Sequence, residues 1–108
     1  MLRRSALAVL LCPLAFLSFA RAADFRAAWV ASVYNINFPS RPGLPVEEQK
    51  EQIARVVETA KRLGLNALLV QVRPEGDALY RSGLEPWSRF LTGVQGRSPG
   101  YDPLAVFV

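Results

Sequence analysis

An α/β fold opening on a βαβ unit is the architecture this sequence predicts, and three observations predict it. Two short apolar runs, residues 25–33 and 67–72, flank a segment whose apolar residues recur at helical spacing. The connection from that segment to the second run is only Gly64-Leu65-Asn66. The stretches that follow each run are instead long and rich in aromatic residues, Pro and Gly. Two strands joined through a crossover helix lie parallel, and a parallel pair buried on both faces reads as near-continuous apolar sequence.

The first run, Phe25-Arg-Ala-Ala-Trp-Val-Ala-Ser-Val33, suits a buried strand with Trp29 in the core. A loop from Tyr34 to Leu44 follows, punctuated by Asn35, Asn37, Pro39, Pro42 and Gly43. Pro45 fits the first helical position, where its missing N–H is no loss, and Glu47 and Glu48 favour the positive end of the helix dipole. Ile53, Val56, Val57, Ala60 and Leu63 then form an inner stripe, with Lys50, Glu51, Arg55, Glu58 and Arg62 outside. Gly64 suits a left-handed cap, with Leu65 folding back on the last turn. The second strand is Ala67-Leu-Leu-Val-Gln-Val72. Beyond it, residues 73–101 read as one long loop, and Asp102-Pro103 reads as an N-cap and first residue opening another helix.

The first 22 residues are of another kind. Arg3 and Arg4 precede an apolar run from Ala6 to Phe19, and Ala20-Arg21-Ala22 makes an A-x-A cleavage motif. This is the pattern of a secretory signal peptide over residues 1–22, cut between Ala22 and Ala23, with an exported product in the periplasm or outside a bacterial cell. The run is shorter than the roughly 20 apolar residues that span a bilayer, so no stable membrane anchor is expected after cleavage. Leu11 stands where lipoproteins carry a small residue before their cysteine, which argues against lipidation at Cys12.

Composition narrows the chemistry. The 108 residues hold 13 Lys and Arg, 9 Asp and Glu, one Cys and no His. A chain without histidine builds no Ser-His-Asp or Cys-His relay and no His-ligated zinc site, and one cysteine makes no disulfide. The net charge of +4 owes 3 of its cations to Arg3, Arg4 and Arg21, which leaves 10 basic against 9 acidic residues. That near-balance argues against a nucleic-acid partner. No G-x-G-x-x-G or G-x-x-x-x-G-K-[ST] motif is present to cradle phosphates, no ligand cluster with metal spacing occurs, and no cofactor is implied.

Loop lengths point to where function lies. Structureless loops beyond about 12–15 residues are usually functional or disordered. Here the long ones lie at the C-terminal ends of parallel strands, where α/β barrels and open sheets place their sites. These loops carry Tyr34-Asn35, then Gln71-x-Arg73-Pro-Glu75-Gly-Asp77, then Tyr80 and Pro86-Trp87-Ser-Arg-Phe90. Flat rings stack on the apolar face of a sugar, and Asp, Glu, Asn and Arg bind its hydroxyls, so the set suits a polyhydroxylated substrate. Glu75 and Asp77, two apart, can project to one side and offer a glycosidic acid or base. The plainer alternative pairs Arg73 with Glu75 and leaves Asp77 to cap a turn beside Gly76. Trp87 is a stacking platform or a lid on the core, and Asn35 binds a hydroxyl or stabilises its turn.

Six segments, taken in order, carry a resemblance. They are Phe25-Arg-Ala-Ala-Trp-Val30, Tyr34-Asn-Ile-Asn-Phe-Pro-Ser40, Val46-Glu-Glu-Gln-Lys50, Gln71-Val-Arg-Pro-Glu-Gly-Asp-Ala-Leu-Tyr80, Glu85-Pro-Trp-Ser-Arg-Phe-Leu-Thr-Gly93 and Gly100-Tyr-Asp-Pro-Leu104. Together they resemble the N-terminal part of glycosyl hydrolase-like family 10, a group of secreted or lipid-anchored bacterial TIM-barrel proteins. Pro45 departs from the family's pattern, in which a Ser N-cap is common there. The resemblance implies a (β/α)8 barrel acting on O-glycosidic bonds, with cell-wall glycan as the substrate class. Residues 23–108 are then the βαβ start of a truncated barrel, since a barrel needs about 250 residues. In that reading Asn35, Arg73, Glu75, Asp77 and Trp87 line part of a glycan cleft, with Glu75 and Asp77 the catalytic candidates of this segment and further active-site groups on the missing strands. The rival expectations are a non-catalytic carbohydrate-binding barrel and an inactive truncated product.

Overall fold

The computed structural model describes residues 24–108, so the signal peptide and the Ala22–Ala23 cleavage site lie outside the described residues. Strand β1 (Ala27–Val30), helix α1 (Val46–Arg62) and strand β2 (Ala67–Val70) form the expected βαβ unit. The strands run parallel in the register Ala27 to Ala67 through Val30 to Val70. Short helices α2 (Arg89–Thr92) and α3 (Pro103–Phe107) follow. The described residues form a small α/β unit of two parallel strands and helices.

Both strands are shorter than the apolar runs that predict them, and the cause is visible at their C-terminal ends. The Ala31 N–H donates to Asn37 Oδ1 (2.8 Å), and the Ser32 and Val33 N–H groups both donate to Gln71 Oε1 (3.0 Å each). Side-chain acceptors thus take the donors that a longer ladder would need. Ser32 Oγ also donates to the Gln71 carbonyl (2.7 Å), which ties the two strand ends together.

Helix α1 begins one residue later than its sequence suggests, with Pro45 as N-cap rather than first helical residue. Its far end closes as expected. Gly64 has φ +71°, its N–H reaches the Lys61 carbonyl, and the Leu65 N–H reaches the Ala60 carbonyl (3.0 Å each). These two bonds satisfy carbonyls that a helix end otherwise leaves orphaned. At α3 the Asp102 side chain accepts from the Ala105 N–H and Pro103 opens the helix, as Asp-Pro predicts.

One face of the strand pair packs on α1. Val30 (4 % exposed), Ile53 (1 %), the loop residues Phe38 and Leu79, and Leu91 of α2 form the core, with Val56, Val57, Leu68, Val70 and Phe107 packed against it. The other face is open. Trp29 and its register partner Leu69 alternate away from α1, and Trp29 is 59 % exposed. Trp29, expected in a core, is thus uncovered: among the described residues nothing packs on its side of the sheet.

The long stretch after β2 is more ordered than its lack of periodicity suggests. Ala78 and Leu79 are buried and hydrogen-bonded to Pro86 and Val72, and Ala78 and Trp87 make a short parallel bridge. Ser88, itself buried, then caps α2 by accepting from the Phe90 N–H.

Candidate active site

The C-terminal ends of β1 and β2 bring the two loops together. Gln71 is the clamp: its side-chain oxygen holds the first loop by two backbone N–H groups while its own N–H donates to the Val30 carbonyl (2.9 Å). Just beyond, Tyr34 (φ 51°) and Asn35 (φ 54°) lie in the left-handed region, which side-chain-bearing residues rarely adopt and which costs on the order of 1–3 kcal/mol at each position. Asn35 offsets that cost by donating from Nδ2 to the Pro39 carbonyl (2.8 Å) and the Phe90 carbonyl (2.9 Å). Of its two expected roles, the turn-stabilising one is what these bonds describe. They also fasten the first loop to α2.

The charged residues pair across the second loop. Arg73 does not pair with Glu75, as the simplest reading of the sequence suggests, but makes a two-pronged ion pair with Glu85. Glu75 pairs with Arg89 through two bonds of 2.7 Å. Pro74 and Glu75 lie in a turn that carries Glu75 away from Arg73, whereas the bend at residues 83–85 returns Glu85 and Arg89 beside them. The two hydrogen bonds from Arg89 hold the Glu75 carboxyl below the usual carboxylate range, and the same pairing raises Arg89. Arg73 is raised in turn by Glu85. Glu75 is therefore ionised at neutral pH, which suits a base or a charge-stabilising group and not a proton donor.

Asp77 is fully enclosed. Its Oδ1 accepts from the Glu75 N–H (3.2 Å) and its Oδ2 from Gln95 Nε2 (3.3 Å). This is the turn-capping arrangement beside Gly76, and it sets the backbone from which Glu75 projects. Trp87 is half-buried and packs on the core cluster, so its ring is mostly a lid. Arg73 and Glu75 are the two predicted site residues whose charged ends reach the surface; Asn35, Asp77 and Trp87 stand behind them.

Further residues join the expected ones at this surface. Arg89 lies with its guanidinium 4.7 Å from the centre of the Phe90 ring, a cation–π contact. Tyr34 meets the same ring edge-on at 5.8 Å and is 74 % exposed. With Glu85 and Gln95 these complete the surface. The aromatic and Arg content of the loop signalled them collectively, but only folding chooses among Arg73, Arg81, Arg89 and Arg97 as partners for Glu75 and Glu85. Among the described residues no three His, Cys, Asp or Glu side chains are grouped to hold a metal ion.

Comparison with known proteins places this surface in context. The chain is 49 % identical over 85 residues to the glycosyl hydrolase YngK of Bacillus subtilis (strain 168), a match covering 79 % of this chain and 17 % of that protein. It is 36 % identical over 86 residues to the glycosyl hydrolase DigH of Escherichia coli (strain K12), covering 73 % of this chain and 20 % of that one. The chain thus spans about a fifth of the length of these curated relatives. The sequence profile described as Glycosyl hydrolase-like 10 matches residues 24–108, the whole described region with both strands and both loops of the site. By that match the chain belongs to the glycosyl hydrolase-like 10 family.

Proposed function

We propose that this chain supplies the first βα units of a (β/α)8 barrel in an exported glycoside hydrolase, one that cleaves O-glycosidic bonds of bacterial cell-wall glycan. Residues 1–22 act as its signal peptide, and residues 23–108 belong to the barrel domain. The observation that carries the reading is the convergence of an aromatic ring, a guanidinium and an ionised carboxylate at the C-terminal ends of two parallel strands, where barrels bind substrate. Family membership and two relatives named as glycosyl hydrolases supply the reaction class.

Uncovered apolar surface supports the barrel. The Trp29–Leu69 face corresponds to a barrel interior, filled by side chains from other strands. Two grooves, of about 560 Å³ beside β1 and about 450 Å³ between α1, β2 and α3, flank α1 where neighbouring helices would pack.

In this function Arg73 and Glu75 face the glycan, while Asn35, Asp77 and Trp87 shape the wall that carries them. Hydrolysis proceeds through an oxocarbenium-like transition state between two carboxyl groups. Glu75, held ionised, fits the base or nucleophile side of that pair. The proton donor, which needs a raised pKa, comes from another part of the barrel. The test is incubation of the secreted product of the complete gene with purified peptidoglycan. New reducing ends are the expected result. Glycan binding without reducing ends would make the protein a non-catalytic carbohydrate-binding barrel.

A further inference from the structure

We infer that Tyr34 is the ring on which a pyranose unit of the glycan stacks, with the paired Arg89 and Glu75 taking hydroxyls at its rim. The inference rests on the glycan-binding reading above and adds to it a specific contact that the predicted site lacks.

Of the aromatic residues in the described region, Phe25, Trp29 and Tyr34 are the exposed ones, and placement separates them from one another and from the half-buried Trp87. Trp87 is packed against the core, and Trp29 lies mid-strand on the open sheet face. Phe25 is 72 % exposed but precedes β1, at the opposite end of the strand pair from the site. Tyr34 is 74 % exposed and stands at the C-terminal end of β1.

Exposure alone would mean little for one surface ring. Here the ring is held out by a built support. Its backbone adopts a left-handed conformation that glycine takes up freely and that strains a tyrosine. The loop around it is fastened by Gln71 beneath and by Asn35, which anchors it to α2. Phe90 meets the Tyr34 ring edge-on, at an interplanar angle of 63°, which steadies the ring and leaves it largely exposed. Arg89, stacked over Phe90, carries the Glu75 carboxylate to the same patch. An immobilised flat ring beside a fixed donor–acceptor pair matches a pyranose, which presents an axial C–H face and equatorial hydroxyls.

The test exploits that strain. In the complete gene product, Tyr34→Gly removes the ring and relaxes the backbone, so thermal stability should hold or rise. Binding of soluble oligosaccharides prepared from peptidoglycan, followed by calorimetry, should weaken by about tenfold or more. Tyr34→Phe, which keeps the ring, should stay within about threefold of the parent. Unchanged binding by Tyr34→Gly, with the parent protein binding normally, overturns this inference and leaves the glycan reading standing. A lower melting temperature for Tyr34→Gly makes the ring a structural prop and also overturns it. Absence of binding by the parent protein overturns the glycan reading itself, and this inference with it.

Discussion

Glu75 accepts both of its strong hydrogen bonds from Arg89, and that pairing sets how the surface responds to acid. Its folded pKa lies below the unfolded value, so the pair stabilises the loop above the ordinary carboxylate range and is lost as pH falls through the depressed value. A carbon-detected titration of Glu75 should show a midpoint below the usual carboxylate range, and Arg89→Ala should return it towards that range. A midpoint at or above the ordinary value in the parent protein would contradict the pairing. Gln71 makes a second residue-level prediction. Its amide oxygen satisfies the Ser32 and Val33 N–H groups, and orphaned donors of this kind cost about 1–3 kcal/mol each. Gln71→Ala should therefore destabilise the protein by about 2 kcal/mol or more and speed amide exchange at Ser32 and Val33 above all other positions. Uniform exchange rates with an unchanged urea midpoint would show that the clamp is dispensable.

At the scale of elements, the termini of α1 and α3 are set by local chemistry. A Cβ added at Gly64 would meet nothing within 4 Å, so Gly64→Ala carries only the cost of a left-handed backbone, about 1–2 kcal/mol by urea denaturation. Asp102 caps α3 and also accepts from the Arg81 N–H (3.1 Å), so Asp102→Ala should cost at least the roughly 1 kcal/mol of a lost cap. Equal stability of either variant with the parent would refute the argument. Both caps are legible as Gly-Leu after an amphipathic run and Asp-Pro before an apolar one. Helix α2 is not, because four residues are too few to show a period. Its Ser88 cap is recognisable only once Ala78 and Trp87 have bridged.

For the molecule as a whole, the balance of covered and uncovered surface makes the prediction. Trp29 and Leu69 stand exposed side by side in register, and apolar grooves flank α1. Among the described residues both outer edges of the two-stranded sheet are also unpaired, which invites association. Residues 23–108 expressed by themselves should associate, bind a hydrophobic dye and show no glycosidase activity. A soluble monomer with a sharp unfolding transition would refute this. The N-terminal segment makes a separate prediction: the exported protein should begin Ala-Asp-Phe-Arg, and an intact Met1 on a cytoplasmic product would refute the signal peptide.

What the sequence determined by itself were the parts fixed by neighbours along the chain. These are the βαβ order, the inner stripe of α1, the caps at Gly64 and Asp102, and the position of both long loops after parallel strands. Each follows from periodicity or from hydrogen bonds between residues a few positions apart. The tertiary structure decided the rest. The end of β1 was set by Gln71 and Asn37 taking backbone donors at Ala31, Ser32 and Val33 that a longer ladder would need. The partners of Glu75 and Arg73 lie 14 and 12 residues away, and the turn between them, not charge pattern, made the choice. Asn35 and Tyr34 are adjacent in sequence, yet one became a strap and the other an exposed ring. Side chains of neighbouring residues diverge, and only the packing of α2 against the first loop determines which of the two turns inward.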